Sequence, residues 1–109
     1  MIDWERVKDL RSEIGADDFD EVSSLFLEEA DEAIERLIAG VPAKALEADL
    51  HFLKGAALNL GFAALARLCQ DGERLASEGS TDIDLAAVHK AYFSSKASFA
   101  LGMKQAFAA

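Results

Sequence analysis

Leu46-Glu47-Ala48-Asp49-Leu50-His51-Phe52-Leu53-Lys54-Gly55-Ala56-Ala57-Leu58-Asn59-Leu60-Gly61 is the stretch from which the architecture of this chain can be read. Leu46, Leu50, Leu53, Ala57 and Leu60 recur at three- and four-residue spacing, the near-heptad seam of a helix that buries one face. Pro42 suits the first turn of that helix and Gly61 its end. Phe62, Leu65, Leu68, Cys69, Leu75 and Ala76 place another helix directly after Gly61, and so short a connection forces the two to run antiparallel, as a hairpin.

The same periodicity extends outward in both directions. Trp4, Val7, Leu10 and Ile14 make a short first helix that stops at Gly15 and needs neighbours to cover its apolar side. Asp17 or Asp18 can cap a second, longer helix whose stripe is Phe19, Val22, Phe26, Ala30, Ala33 and Leu37, ended by Gly40. Downstream, Glu78-Gly79-Ser80-Thr81-Asp82 supplies stop and cap chemistry before a last helix that buries Leu85, Val88, Tyr92, Phe99 and Met103. No alternating run of β-branched residues marks a strand. The expectation is an all-α fold: an antiparallel four-helix bundle with a short additional N-terminal helix.

Composition bounds what such a bundle can do. With 109 residues, 51% hydrophobic and 28% charged, residues 1–109 read as one globular domain without a linker or repeat. The opening Ile2-Asp3-Trp4-Glu5-Arg6 carries acid where a signal peptide needs basic residues and then an apolar run, and no stretch approaches the roughly 18 apolar residues of a membrane span. A cytoplasmic location is therefore expected. The lone Cys69 permits no internal disulfide, and two histidines are too few to complete a zinc site with it, so it reads as a small core residue. A formal charge of −9 repels phosphate backbones and anionic lipid, which leaves proteins as the expected partners, with neither nucleic acid nor membrane.

The chemistry concentrates on the exposed side of the seam helix. At about 100° per residue, Lys44, Glu47, His51, Lys54, Gly55 and Leu58 fall in a narrow wedge nearly opposite Leu50, Leu53, Ala57 and Leu60. A surface histidine by itself is ordinarily a polar residue on a solvated face. Its neighbours argue for more. Gly55 stands in a helix interior, where glycine costs roughly 1 kcal/mol relative to alanine, and it points outward, where packing gives no reason for it. Close approach of another molecule does. Lys54 sets a compact positive charge beside the imidazole, and Leu58 offers an apolar spot suited to the dry centre of a contact.

His51-x-x-Lys54-Gly55, followed by Gly61, resembles the signature of histidine-containing phosphotransfer (HPt) domains of multistep phosphorelays, and the resemblance extends over nearly the whole chain. It implies a single HPt-like domain in which His51 takes a phosphoryl group from a receiver-domain aspartate, or from a sensor or hybrid kinase upstream, and passes it to a response regulator receiver. It implies Lys54 as the phosphate-stabilising residue and Gly55 as the residue that gives access. Ala56 and Ala57 stand where the family's commonest form has hydroxyl residues, a departure that touches helix packing rather than transfer. His51 lies ten residues before Gly61 and Glu73 twelve after, so in an antiparallel hairpin they come to nearly the same height. Glu73 also shares a stripe with Cys69 and Ala76, an inward-leaning place for a carboxylate. The family often has Gln or Glu there, and Glu73 is expected to accept a hydrogen bond from His51 Nδ1–H, leaving Nε2 as the nucleophile. Lys44 and Leu58 are the expected partner contacts.

Such a carrier needs little machinery, because phosphoryl transfer rests on in-line positioning and neutralised charge. The sequence holds no phosphate-cradling glycine loop and no cation cage, so no cofactor is expected on this chain and Mg2+ is expected on the receiver. The expectation is a phosphoryl carrier without ATP hydrolysis or autokinase activity, since these residues leave no room for a nucleotide-binding domain. A di-metal bundle would need Glu-x-x-His pairs, and neither His51 nor His89 has an acid three positions before it. The competing reading is a bundle that docks a partner or dimerises without ever being phosphorylated. His89, with no lysine or glycine arranged around it, reads as structural or solvated.

Overall fold

The computed structural model describes residues 2–40 and 42–106, and every regular element among them is an α-helix: α1 Trp4–Ile14, α2 Ala16–Ala39, α3 Ala43–Leu60, α4 Ala63–Ser77 and α5 Leu85–Ala106. The seam of α3 is buried at every expected position, Leu46, Leu50, Leu53, Ala57 and Leu60. Gly61 ends α3 at φ 76, a left-handed turn that glycine adopts without strain, and α4 starts two residues later. Leu50 then faces Gly72, where an added Cβ would come within 3.0 Å of the leucine, and His51 faces Glu73.

Three helix starts differ from the sequence reading. Gly15, at φ 87, both closes α1 and opens α2, so no residue is left to act as a side-chain cap. Asp17 and Asp18 lie inside the first turn instead, beside the positive end of the helix dipole. Pro42 has an extended ψ of 158 and so precedes the first turn of α3 rather than joining it. The stop after α4 is supplied by Gly79 at φ 84, but the cap of α5 is Asp84, whose carboxylate accepts the Ala87 N–H at 3.0 Å. The Asp82 N–H donates locally to Ser80 Oγ.

Packing follows the apolar stripes. α2 lies on α3, α3 on α4, α4 on α5 and α5 back on α2, while α1 lies against α2 and α3 and adds Val7 and Leu10 to the buried core. Phe19, Ala30, Ala33 and Leu37 of α2 and Val88, Tyr92 and Phe99 of α5 are buried; Val22, Phe26, Leu85 and Met103 are half-buried at its margin. The segment ahead of α1 is tied to the α3–α4 turn by Asp3 N–H donating to Gly61 O at 2.7 Å and by a bridge between Ile2 and Phe62. Trp4 stacks on Phe99 with ring centroids 6.1 Å apart and rests on Gly102, where any side chain would collide with the indole.

Candidate functional site

The outward side of α3 puts the His51 side chain in water, 70% exposed, at the mouth of the α3–α4 groove. Because the hairpin brings the two residues level, His51 Nδ1 stands 2.7 Å from Glu73 Oε1. Facing a carboxylate, Nδ1 is the ring nitrogen placed to donate, and Nε2 lies on the other side of the ring. Lys54, one turn along α3, reaches over the groove to place Nζ 2.9 Å from Glu73 Oε2. The ammonium meets this oxygen as a charge rather than along a well-aligned hydrogen bond, and the oxygen itself is closed off from water. The Lys54 ammonium, and after it His51, hold the Glu73 carboxyl below its ordinary 4.5 against the opposing effect of partial burial. Glu73 is thus an anion with both oxygens engaged.

The sequence placed Lys54 beside the imidazole as a compact positive charge; here it is also held by the carboxylate that holds the histidine. Gly55 lies open: a Cβ built there would meet nothing within 4 Å. Leu58 is exposed, at 56%, two turns beyond His51. Lys44 is exposed two turns before it and lines a shallow depression with Glu47, Ala48, His51 and Glu73. The structure thus brings His51, Lys54 and Glu73 into one cluster and spaces Lys44, Gly55 and Leu58 along the same face.

Several nearby residues escaped the sequence reading. Asn59 Nδ2 donates to Gly55 O at 3.0 Å, and Arg6 Nη2 of α1 donates to Asn59 Oδ1 at 3.0 Å, which fastens the helix just past the histidine. Gln70, Arg74 and Ser77 of α4 line a second depression with Glu47, Lys54 and Glu73. The register that found Glu73 would also have found these, one turn to either side. Cys69 is fully buried, and burial, with the Glu73 charge adding to it, pushes its thiol up to about 12, so it stays an unreactive core residue. His89 lies apart on α5, exposed, its ring 4.8 Å from that of Phe93. Among the described residues no three His, Cys, Asp or Glu side chains are grouped to hold a metal ion, and no helix is long and apolar enough to cross a membrane.

The Hpt domain family matches residues 21–108, from the second turn of α2 through α5. This chain belongs to that family. No curated protein and no solved structure matches it. Hpt domains carry phosphoryl groups on histidine in two-component phosphorelays and work with receiver domains and kinases, and the helical fold found here is that of a family member. α1 lies outside the matched residues, although Asp3, Trp4 and Arg6 tie it to α3 and α5.

Proposed function

We propose that this Hpt domain is a phosphorelay intermediate in which His51 Nε2 takes a phosphoryl group from a receiver aspartate, or from a kinase upstream, and delivers it to the aspartate of a response regulator. The supporting observation is the 2.7 Å contact between His51 Nδ1 and Glu73 on an otherwise exposed ring, which fixes one tautomer and aims the free nitrogen outward. In the forward step the Nε2 lone pair attacks phosphorus in line, and the P–O bond to the donor aspartate breaks with its electrons returning to that carboxylate. The proton stays on Nδ1, directed at Glu73. In the onward step a second aspartate attacks phosphorus and the pair of the P–N bond returns to Nε2, so the chain ends as it began.

Lys54 shares Glu73 with the ring, and its exchange from Glu73 to an equatorial phosphoryl oxygen offsets the charge that arrives. Gly55 gives the receiver's backbone room to approach, and Lys44 and Leu58 contribute to the contact. Mg2+ belongs to the receiver. The chain acts as one cytoplasmic carrier domain with no ATPase or autokinase activity, built as an antiparallel four-helix bundle with one extra N-terminal helix.

The test is to mix the protein with phosphorylated receiver domains and follow the label. An acid-labile, base-stable adduct should form, and ATP alone should give none. Signal that survives His51→Gln would favour the alternative, an adaptor that only docks its partner.

A further inference from the structure

α2 and α5 lie side by side and differ in sign. α2 carries nine acidic residues and Arg36 alone, and Arg36 turns towards α3 to hold Asp49. α5 carries His89, Lys90, Lys96 and Lys104 and no acidic residue. The carboxylates just ahead of it, Asp82 and Asp84, precede the helix, and Asp84 is committed to the Ala87 N–H. Across the seam Asp31 pairs with Lys96; among the described residues no other α2 acid is paired with an α5 lysine.

That pairing also sets the level of one helix against the other. Asp31 meets both Tyr92 and Lys96 and so stands level with residue 94, midway between them. The helices run antiparallel, since Leu37 and Ile38 near the end of α2 line a depression with Leu85, Ala86 and His89 at the start of α5. Glu35 is then level with Lys90, Glu28 with Ala97 and Glu21 with Lys104. Each trio recurs every seven residues, and all six are exposed. At about 100° per residue, the glutamate row lies nearly opposite the buried Phe19, Ala30 and Leu37, and the lysine row about 160° from the buried Val88, Tyr92 and Phe99. Exposed Phe93 stands between Lys90 and Ala97, on the same side of α5 as Ala86 and Ala100.

We infer that the outer face of α2 and α5 docks a second copy of this chain, in a two-fold dimer that sets α2 of each copy against α5 of the other. A two-fold axis parallel to the helices leaves every height unchanged. Glu35 therefore comes opposite Lys90 of the other copy and Glu21 opposite Lys104, and the isologous contact makes each pairing twice. Phe93 supplies an aromatic centre and the charged pairs form its rim. With α5 about 33 Å long and two helices spanning about 20 Å, the face reaches the lower end of stable interfaces, roughly 1,200 Å2 in total. The net charge of −9 repels two copies at long range, so pairing requires a face on which opposite charges meet. An acidic partner of another kind would satisfy the lysines but set like charge against the glutamates; a second copy satisfies both rows. His51 lies in the α3–α4 groove, and pairing through α2 and α5 does not cover it.

The test is sedimentation equilibrium over a wide range of protein concentration. The weight-average mass of wild type should climb from 11.7 kDa towards twice that value. Reversing one row, by Lys90→Glu with Lys104→Glu or by Glu21→Lys with Glu35→Lys, should weaken self-association about tenfold or more. Mixing the two reversed proteins should restore it as a mixed dimer, because each row then meets its complement again. The glutamate reversal moves the net charge from −9 to −5, two units for each substitution, so mere relief of repulsion would strengthen association where the inference predicts weakening. All four positions are exposed, and thermal melts near wild type show that the variants fold. A chain that stays at 11.7 kDa at every concentration overturns the inference and leaves the face to a different partner. A dimer that either reversal leaves at wild-type affinity, or that mixing fails to restore, overturns it equally.

Discussion

Two carboxylates in this bundle are held in the same way and end in different uses. Glu73 receives a ring nitrogen and a lysine from α3, His51 and Lys54, three residues apart. Asp31 of α2 receives a ring hydroxyl and a lysine from α5, Tyr92 and Lys96, four residues apart, with Lys96 Nζ at 2.9 Å. Both carboxyls are held below their ordinary values. For Asp31 the burial effect is the largest single influence and acts upward, but Tyr92 and Lys96 together outweigh it. The difference lies on the far side of each ring. Tyr92 is buried, its one polar atom is committed to Asp31 and Leu27 O, burial and the Asp31 contact push its phenol up, and Lys96 lies 5.9 Å from the ring centroid. His51 is open to water on the side away from Glu73, with bare Gly55 one turn on. A carboxylate with two donors is a strut when the donor's ring is covered; in the proposed function, where the ring's second heteroatom is left outside, the same arrangement aims that atom as a nucleophile.

The contrast can be broken from either end. Tyr92→Ala should give the largest effect, about 3–5 kcal/mol of stability lost, because it empties a core position and strips Asp31 of a partner, while the folded fraction transfers phosphate at the wild-type rate. Denaturant melts and single-turnover transfer check this together. Gly55→Gln should do the reverse. Transfer should drop on the order of a hundredfold because the side chain stands where the receiver must approach, yet stability should stay within about 1 kcal/mol of wild type, or rise, as glycine leaves a helix interior. Loss of function that tracks melting would show that this face is structural too.

Finer variants sharpen the comparison. Glu73→Ala should slow transfer about tenfold with little change in receiver affinity, since it orients a ring without making the interface. Leu58→Asp should weaken binding by about tenfold and leave the chemical step alone. Unchanged kinetics in either variant would return that residue to an ordinary surface role. The smallest effect is in acid. Because the folded carboxyls of Glu73 and Asp31 titrate below 4.5 and 3.8, each adds stability that is present above those ordinary values and is lost as pH falls through the depressed ones. Carboxyl-carbon NMR titration should therefore find the midpoints of both below the ordinary values for their residue types.

The sequence carried most of the site because one helix and one register determine it. Periodicity alone put His51 opposite Leu50 and Leu53, and counting to either side of Gly61 levelled it with Glu73. Periodicity does not tell how a lysine in the wedge divides itself between a ring and a carboxylate, so the Lys54–Glu73 pair was missed. The Asp31–Tyr92–Lys96 cluster was missed for a related reason: Asp31 is more than sixty residues from its two donors, and their meeting depends on how α2 and α5 are rotated against each other. Glycines show the same limit. Gly55, Gly72 and Gly102 all interrupt helices, yet the first faces open space, the second Leu50 and the third Trp4. Only the first could be understood from its own helix, because its reason is an absence of neighbours rather than a particular one.

The central claim is that Glu73 holds the Nδ1 proton so that His51 reacts through Nε2. It is tested most directly by phosphorus–nitrogen NMR on protein with nitrogen-labelled histidine, phosphorylated by a receiver. The predicted result is coupling of phosphorus to Nε2 of His51 alone, with the Nδ1 proton still present and shifted by its hydrogen bond. Coupling to Nδ1 of His51, or to either nitrogen of His89, would contradict the account.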